Sequence, residues 1–246
     1  VLRLLAALIA PTAFWAGYLR YKDRYQPEPL QWMGLAYVLG LVAGWVGLRG
    51  YLLLEALGLP ADPLAFAAVG RLPFLAYCIV VVGLLEEAVK LLPFLLVVPR
   101  LRYFDEMLDG IIYASCIALG FATYENLLYL PLLDGFALWG RAVASPLTHT
   151  VFASIWGFTV ASALLRGRRL LPAALQGLFL AALLHGLYDY FTLDPRLRLG
   201  AALLILVIWI WRIRTIDQLH RLSRRGGAAL PRQGGPAGAP EEGDPA

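Results

Sequence analysis

Residues 73–98 read PFLAYCIVVVGLLEEAVKLLPFLLVV. The run is long enough to cross a bilayer, because a transmembrane helix needs about 20 mostly apolar residues. Yet Glu86, Glu87 and Lys90 lie inside it. A charge at the bilayer centre costs roughly 2.5–3.5 kcal/mol on insertion scales, and it persists where it faces a polar interior and has partners. One helix cannot build such an interior alone. The stretch therefore predicts several spanning helices gathered around a polar centre.

The rest of the chain supplies those helices. Of 246 residues, 60% are hydrophobic and 15% charged, with a mean hydropathy of +0.67. Average soluble domains are roughly 45–50% apolar and about 25% charged, so one water-soluble core is excluded. General disorder is excluded too, since it needs low hydrophobicity and dense charge. Apolar runs predict spans at 1–19, 30–57, 73–98, 108–131, 141–165, 172–191 and 197–213. Residues 58–72, with Gly58, Pro60, Asp62 and Pro63, read as a loop or interfacial segment. The first run lacks a clear small-residue cleavage site and reads as a retained helix rather than a signal peptide. The expected fold is all-α: a polytopic membrane bundle of about seven (seven or eight) transmembrane helices, one domain over 1–225. Residues 226–246 are rich in Gly, Ala and Pro without apolar periodicity. They read as a disordered cytoplasmic tail.

The net charge of +4 comes without a basic stripe interleaved with aromatics, so no nucleic-acid partner is expected. The basic residues follow loop positions instead. Arg20, Lys22, Arg24, Arg100, Arg102, Arg166, Arg168 and Arg169 fall on one side, joined by Arg212, Arg214, Arg221, Arg224, Arg225 and Arg232. Arg3, Arg49, Arg71, Arg141, Arg196 and Arg198 fall on the other. By the positive-inside rule the larger set is cytoplasmic, with the N-terminus out and the C-terminus in. Cys78 and Cys116 lie in apolar runs and have no metal spacing; they read as small core residues.

More ionisable residues sit at membrane depth. Glu125 and Asn126 end FATYEN, His149 lies in the fifth span, and His185 and Asp189 form HGLYD in the sixth. Glu86 and Lys90 are four residues apart, as are His185 and Asp189, so each pair shares a helix face. Asp189 is placed to hold one nitrogen of His185. By helix rise, Glu86 is ~20 Å below residue 73, while Glu125, His185 and His149 are ~9–12 Å from the outer ends of their spans. Four helices thus contribute polar groups between the midplane and the outer half. His220 reads as solvated, and Asp105, Glu106 and Asp109 as interfacial.

The order EEAVK, DGIIYASCIALGFATYENLLY, His149 and HGLYD resembles the PrsW family of intramembrane proteases, and YKDRYQPEPL is similar to that family's first cytoplasmic loop. The family is related to CAAX-processing endopeptidases and to the scaffold subunit of gamma-secretase. The resemblance implies proteolysis in a bacterial plasma membrane, acting on a single-span membrane protein such as an anti-sigma factor at its extracytoplasmic side. It implies Glu86 and Glu87 as the catalytic pair, assisted by His149 and His185.

A Glu beside a His suits a general base that activates water. Glu86 is the preferred base because it shares a face with Lys90, which keeps the glutamate pair partly ionised. Asp189 orients His185, while Glu125 and Asn126 bind the scissile backbone or complete the site. Glu86, Glu87, His149 and His185 also form a donor set for Zn²⁺, although the HExxH spacing is absent, so metal-free and metal-dependent routes both stand. Two other classes use buried charges. One is a proton-coupled transporter, against which the lack of an internal repeat counts; the other is a non-catalytic membrane scaffold, against which the retained Glu and His residues count.

Overall fold

The computed structural model describes residues 1–224, and every regular element among them is helical. The helices are α1 (Leu2–Lys22), α2 (Leu30–Ala56), α3 (Leu64–Ala67), α4 (Arg71–Tyr77), α5 (Leu84–Val97), α6 (Met107–Tyr129), α7 (Gly135–Leu165), α8 (Leu170–Leu193) and α9 (Arg198–Arg224). Six of them, α1, α2 and α6 to α9, are long and apolar enough to cross a membrane. The seventh expected span is there as a composite: α4 passes through a π-helical turn, Cys78–Gly83, directly into α5. The Gly/Ala/Pro-rich stretch 226–246 lies outside the described residues.

The axis of the bundle is α6. It is mostly apolar, and from Met107 to Thr123 every residue is buried, as expected of a helix enclosed by others. Small residues let its neighbours approach to backbone contact. A Cβ on Gly40 of α2 would meet the Ile117 carbonyl, and one on Gly120 would meet the Tyr37 carbonyl. Gly110 and Gly157 bring α6 and α7 together in the same way. A cavity of about 540 Å³ lies between α1, α2 and α6, lined by Leu8, Ile9, Met33 and Leu119 among others, and holds none of the intramembrane carboxylates.

The π turn sets the position of EEAVK. A Cβ on Gly83 would collide with the Ala182 carbonyl of α8, and one on Gly186 with the Cys78 carbonyl and Ile79 Cα. No side chain separates the two segments here, so α5 leaves the turn pressed against α8. Glu86 and Glu87 follow within one turn, opposite His185.

Two boundaries differ from the hydropathy reading. α7 begins at Gly135 rather than 141, and α9 continues to Arg224 rather than ending at 213. The added length of α9 is polar, and polar contacts hold it against the first loop. Gln26 donates to Ser223 Oγ (2.9 Å), Ser223 donates to Glu106 (2.7 Å), and Lys22 pairs with Asp217 (3.9 Å). His220 is not simply solvated: its Nε2 lies 2.8 Å from the Lys22 carbonyl and its ring packs edge-on to Tyr25. Arg212 is not a loop arginine either; it is fully buried inside the bundle.

The loop between α1 and α2 is equally fixed. The Glu28 amide donates to Asp23 Oδ2 (2.7 Å), Arg20 donates to the Glu28 carbonyl (2.9 Å), and Tyr113 donates to the Glu28 carboxylate. Glu106 caps α6 reciprocally with Asp109. Burial pushes Asp23 from 3.8 and Glu28 from 4.5 up to about 7, reinforced at Asp23 by Glu28 and Glu106 and at Glu28 by Asp105 and Glu106.

Two outcomes follow from this packing. Gly120→Ala should destabilise by about 1–3 kcal/mol, because the new methyl meets backbone, whereas Gly34→Ala meets nothing within 4 Å and should be neutral; melting of the two purified variants compares them. The raised carboxylates make folding take up protons. Their contribution is therefore full below the unfolded values and is lost as pH rises through about 7. The melting temperature should fall between pH 5 and pH 8, and Glu28→Gln should flatten that fall; a rising curve would contradict the assignment.

Candidate active site

Glu87 lies at the centre of the polar cluster. Its Oε1 accepts from Lys90 Nζ at 2.6 Å and from His185 Nδ1 at 2.8 Å, and its Oε2 accepts from Trp156 Nε1 at 2.8 Å. Glu87, Lys90 and Trp156 have no exposed surface. The donors come from α5, α8 and α7, so one carboxylate ties three helices together. An ionised carboxylate only accepts, so Nδ1 of His185 carries a proton.

Lys90 is thus paired with Glu87, not with Glu86 as its four-residue spacing suggested. Residues three apart also share a helix face, and the donors from α7 and α8 hold Glu87 on the inward side. Glu86 makes a different set of contacts. Its Oε1 accepts from Tyr51 of α2 at 2.9 Å, and its Oε2 faces His185 Nε2 at 3.7 Å. Asp189 Oδ2 reaches the same nitrogen at 3.6 Å. Asp189 is therefore a flanking carboxylate of His185, while Glu87 holds the ring. Phe152 stacks on that ring at 4.8 Å and 17° and fixes its plane.

His149 bridges to the partly exposed edge of the cluster. Lys90 Nζ lies 3.1 Å from its Nδ1 and Glu125 Oε2 3.0 Å from its Nε2. An ammonium only donates, so Nδ1 accepts and Nε2 donates to Glu125. Glu125 also pairs with Arg141 at 3.1 Å and receives Ser145 at 3.5 Å. The Phe121 ring lies under Lys90 Nζ at 4.4 Å and beside His149 at 5.2 Å. Glu125, Arg141 and Asp189 are partly exposed, whereas Glu86, Glu87, His149 and His185 are buried. Access to the cluster therefore runs past Glu125, Arg141 and Asp189.

The structure thus brings Glu86, Glu87, Lys90, Glu125, His149, His185 and Asp189 together. Asn126 is buried next to Glu125, its Oδ1 without a hydrogen-bond partner; no hydrogen bond joins it to the cluster among the described residues. Tyr51, Trp156 and Arg141 are members that the sequence did not reveal. Tyr51 and Trp156 read as ordinary aromatics of apolar runs, and Arg141 read as a loop charge. The spacing of Arg141 from His149, two helical turns on one face, was the available signal.

Glu86, His149 and His185 each offer a ligand atom within 4.8 Å of the others, and all three are buried. Two His and one Glu match the donor type of catalytic zinc sites that keep an open position. His185 has its far nitrogen held by a carboxylate, the arrangement that orients metal-binding imidazoles. The donor set therefore fits a metal. His149 is the member with both nitrogens engaged, and it ligates only by releasing Lys90 or Glu125.

A family model described as PrsW family intramembrane metalloprotease matches residues 28–213. The chain belongs to the PrsW family. Similar proteins named Protease PrsW include one from Geobacillus kaustophilus, 30% identical over 222 residues, which are 90% of this chain and 94% of that protein. One from Clostridioides difficile is 31% identical over 224 residues, 87% and 88% of the two chains. One from Bacillus subtilis is 29% identical over 188 residues, 76% and 81%. No solved structure gives a significant match. Family membership makes the chain an integral membrane protein and an intramembrane protease, and decides against the transporter and scaffold readings.

Trp156 tests the Glu87 knot without touching a charge. Trp156→Phe keeps an aromatic ring and removes one donor, leaving Glu87 Oε2 unpaired. Proteolytic activity should drop about 10- to 100-fold, because leaving a buried acceptor unpaired costs about 1–3 kcal/mol, with the helix content unchanged by circular dichroism.

Proposed function

We propose that the protein cleaves membrane-anchored, single-span substrates, such as an anti-sigma factor, beside the outer half of a bacterial plasma membrane, with Glu86 and His185 holding the attacking water. One observation carries this reading: Glu86 Oε2 and His185 Nε2 face each other at 3.7 Å, beyond a direct hydrogen bond, while every oxygen of Glu87 is engaged. Glu86 thus keeps one oxygen, Oε2, free of a direct hydrogen bond, and Glu87 is the positioning carboxylate. The preference for Glu86 stands, for a reason other than proximity to Lys90. The orientation with N-terminus out and C-terminus cytoplasmic supports the outer-side assignment, since Glu125 and Arg141 lie near the opposite ends of their helices from the Arg-rich loops.

In a metal-free route, Glu86 Oε2 takes the proton of the water and returns it to the leaving amine. Lys90 and the Nε2 proton of His149 provide positive potential for the developing oxyanion. This route is favoured by the Lys90 ammonium on His149 Nδ1. In a metal-dependent route Glu86, His149 and His185 hold the ion, zinc by donor type, which supplies Lewis-acid polarisation and acidifies water. The clustering of those three ligand atoms favours it. In both routes Glu87 keeps Nε2 of His185 aimed at Glu86, and Asp189 flanks the same nitrogen on the open side.

The test is cleavage of a tagged single-span substrate in liposomes, with and without chelator. Glu86→Gln should reduce turnover by about 100- to 10,000-fold, the range for loss of a general base, and His185→Ala should abolish it. Chelator-sensitive cleavage restored by Zn²⁺ selects the metal route; chelator-resistant cleavage selects the other. Full activity of a folded Glu86→Gln variant would refute the site.

A further inference from the structure

The α7–α8 hairpin carries a second polar feature, at the end of the bundle away from the protease site. α7 stops at Leu165, and Gly167 follows at φ +63°, a left-handed conformation that suits glycine after a helix. The Gly167 amide donates to the Leu164 carbonyl at 3.1 Å and the Arg168 amide to the Ala163 carbonyl at 2.8 Å. This turn fixes where Arg168 and Arg169 leave the backbone, and α8 starts at Leu170. Both arginines are exposed. Among the described residues neither side chain has an ion pair or a hydrogen bond.

Deeper in the bundle the hairpin closes on glycine: a Cβ on Gly177 would meet Thr159 Oγ1 and the Trp156 Cα. Between this crossing and the turn lies a cleft of about 330 Å³. Arg168 and Arg169 line one part of it, Thr159, Ser162 and Gln176 another, and Phe158 with alanines a third. One water needs only about 10–15 Å³ of such space, so the cleft has room for a phosphate group and its ester substituents. Among the described residues no acidic side chain lines it. Gln176 stands out. It interrupts LLPAALQGLFL, among the exposed Leu171, Leu175 and Phe179, and its amide has no hydrogen bond among the described residues. An amide turned to lipid without a partner is costly. It is ~9 Å along α8 from Leu170, whereas the interfacial zone of a bilayer is roughly 5–8 Å deep on each side. The cleft therefore runs from the level of lipid phosphates to that of the first acyl carbons, with its cations at the outer end of that path.

We propose that this cleft binds one anionic glycerophospholipid, its phosphate held by Arg168 and Arg169 and a glycerol ester carbonyl accepting from the Gln176 amide. A guanidinium matches a phosphate with two parallel N–H bonds. Basic pockets between spanning helices suit anionic headgroups, and the lack of an acidic side chain leaves nothing to hold the ammonium of a zwitterionic one. The ligand is therefore of the phosphatidylglycerol type. Free phosphate would use the arginines but neither Gln176 nor the Phe158 wall. Gln176 and His185 are ~14 Å apart along α8, so the lipid belongs to the boundary of the bundle and is not a substrate.

The test uses the full chain purified in a neutral detergent and melted while phosphatidylglycerol, phosphatidylethanolamine or sodium phosphate is titrated in. Phosphatidylglycerol should raise the melting temperature saturably, as a ligand of the native state does, and the other two should not. Arg168→Gln with Arg169→Gln should raise the midpoint at least about 10-fold, from lost charge-assisted hydrogen bonds, and Gln176→Leu about 2- to 10-fold, from one neutral bond. Arg166→Gln removes the same charge from the same turn but outside the cleft, and should move the midpoint less than about twofold. Equal responses to phosphatidylglycerol and phosphatidylethanolamine overturn the proposal. Full stabilisation by sodium phosphate overturns it in favour of a free-anion site. An Arg166→Gln shift as large as that of the double variant overturns it in favour of general surface attraction. Should the double variant not fold, a midpoint unmoved by Gln176→Leu overturns it.

Discussion

Glu87 must stay charged inside an apolar bundle, and the arrangement of α5, α7 and α8 answers to that need. A lysine from its own helix, a histidine from α8 and an indole from α7 converge on its two oxygens. Removing one partner from a buried ion pair costs about 3–5 kcal/mol, because the other charge is then stranded. Such a group is a poor choice for moving protons and a good one for holding geometry. It fixes the tautomer of His185 and, through Lys90, that of His149. The neighbouring glutamate is left comparatively free, so two identical side chains one position apart have different work.

The packing around α6 makes this arrangement possible. Glycines at the α2 and α7 crossings bring backbones together, and side chains from outer helices then reach the axis. Tyr51 reaches Glu86 from α2 because Gly47 and Gly50 keep that helix close to α5 and α6. Arg141 and Glu125 form the partly exposed boundary between the buried cluster and its surroundings. Polarity therefore increases stepwise from the Glu87 knot towards the opening, which suits a site that must admit water and a peptide but not the bulk phase.

Much of this was legible in the chain. Hydropathy gave the spans, because burying about 20 apolar residues in lipid leaves a strong signal. The cost of intramembrane charge singled out EEAVK, Glu125, His149 and HGLYD as one constellation. Partner choice was not legible. Spacing allows Lys90 to meet either glutamate, and only the donors arriving from α7 and α8 decide for Glu87. Trp156 contributes a single N–H from within an apolar run, a signal too small for composition to register. Arg212 and His220 looked like surface charges because the end of α9 was drawn where the apolar run stops, whereas polar contacts to the first loop carry the helix further.

The π turn at Cys78–Gly83 has a consequence for how this span can vary. An α-helix advances about 100° per residue, and a π turn absorbs one surplus residue without breaking the rod. The segment before it and the segment after it are therefore out of phase by one residue. The phase offset lets α4 keep Phe74 and Tyr77 buried while α5 turns Glu87 inward. Loss of a single residue from this turn would leave hydropathy and length nearly untouched, yet rotate the glutamates away from His185. The identity of this span as part of an enzyme thus resides in its residue count as much as in its residues.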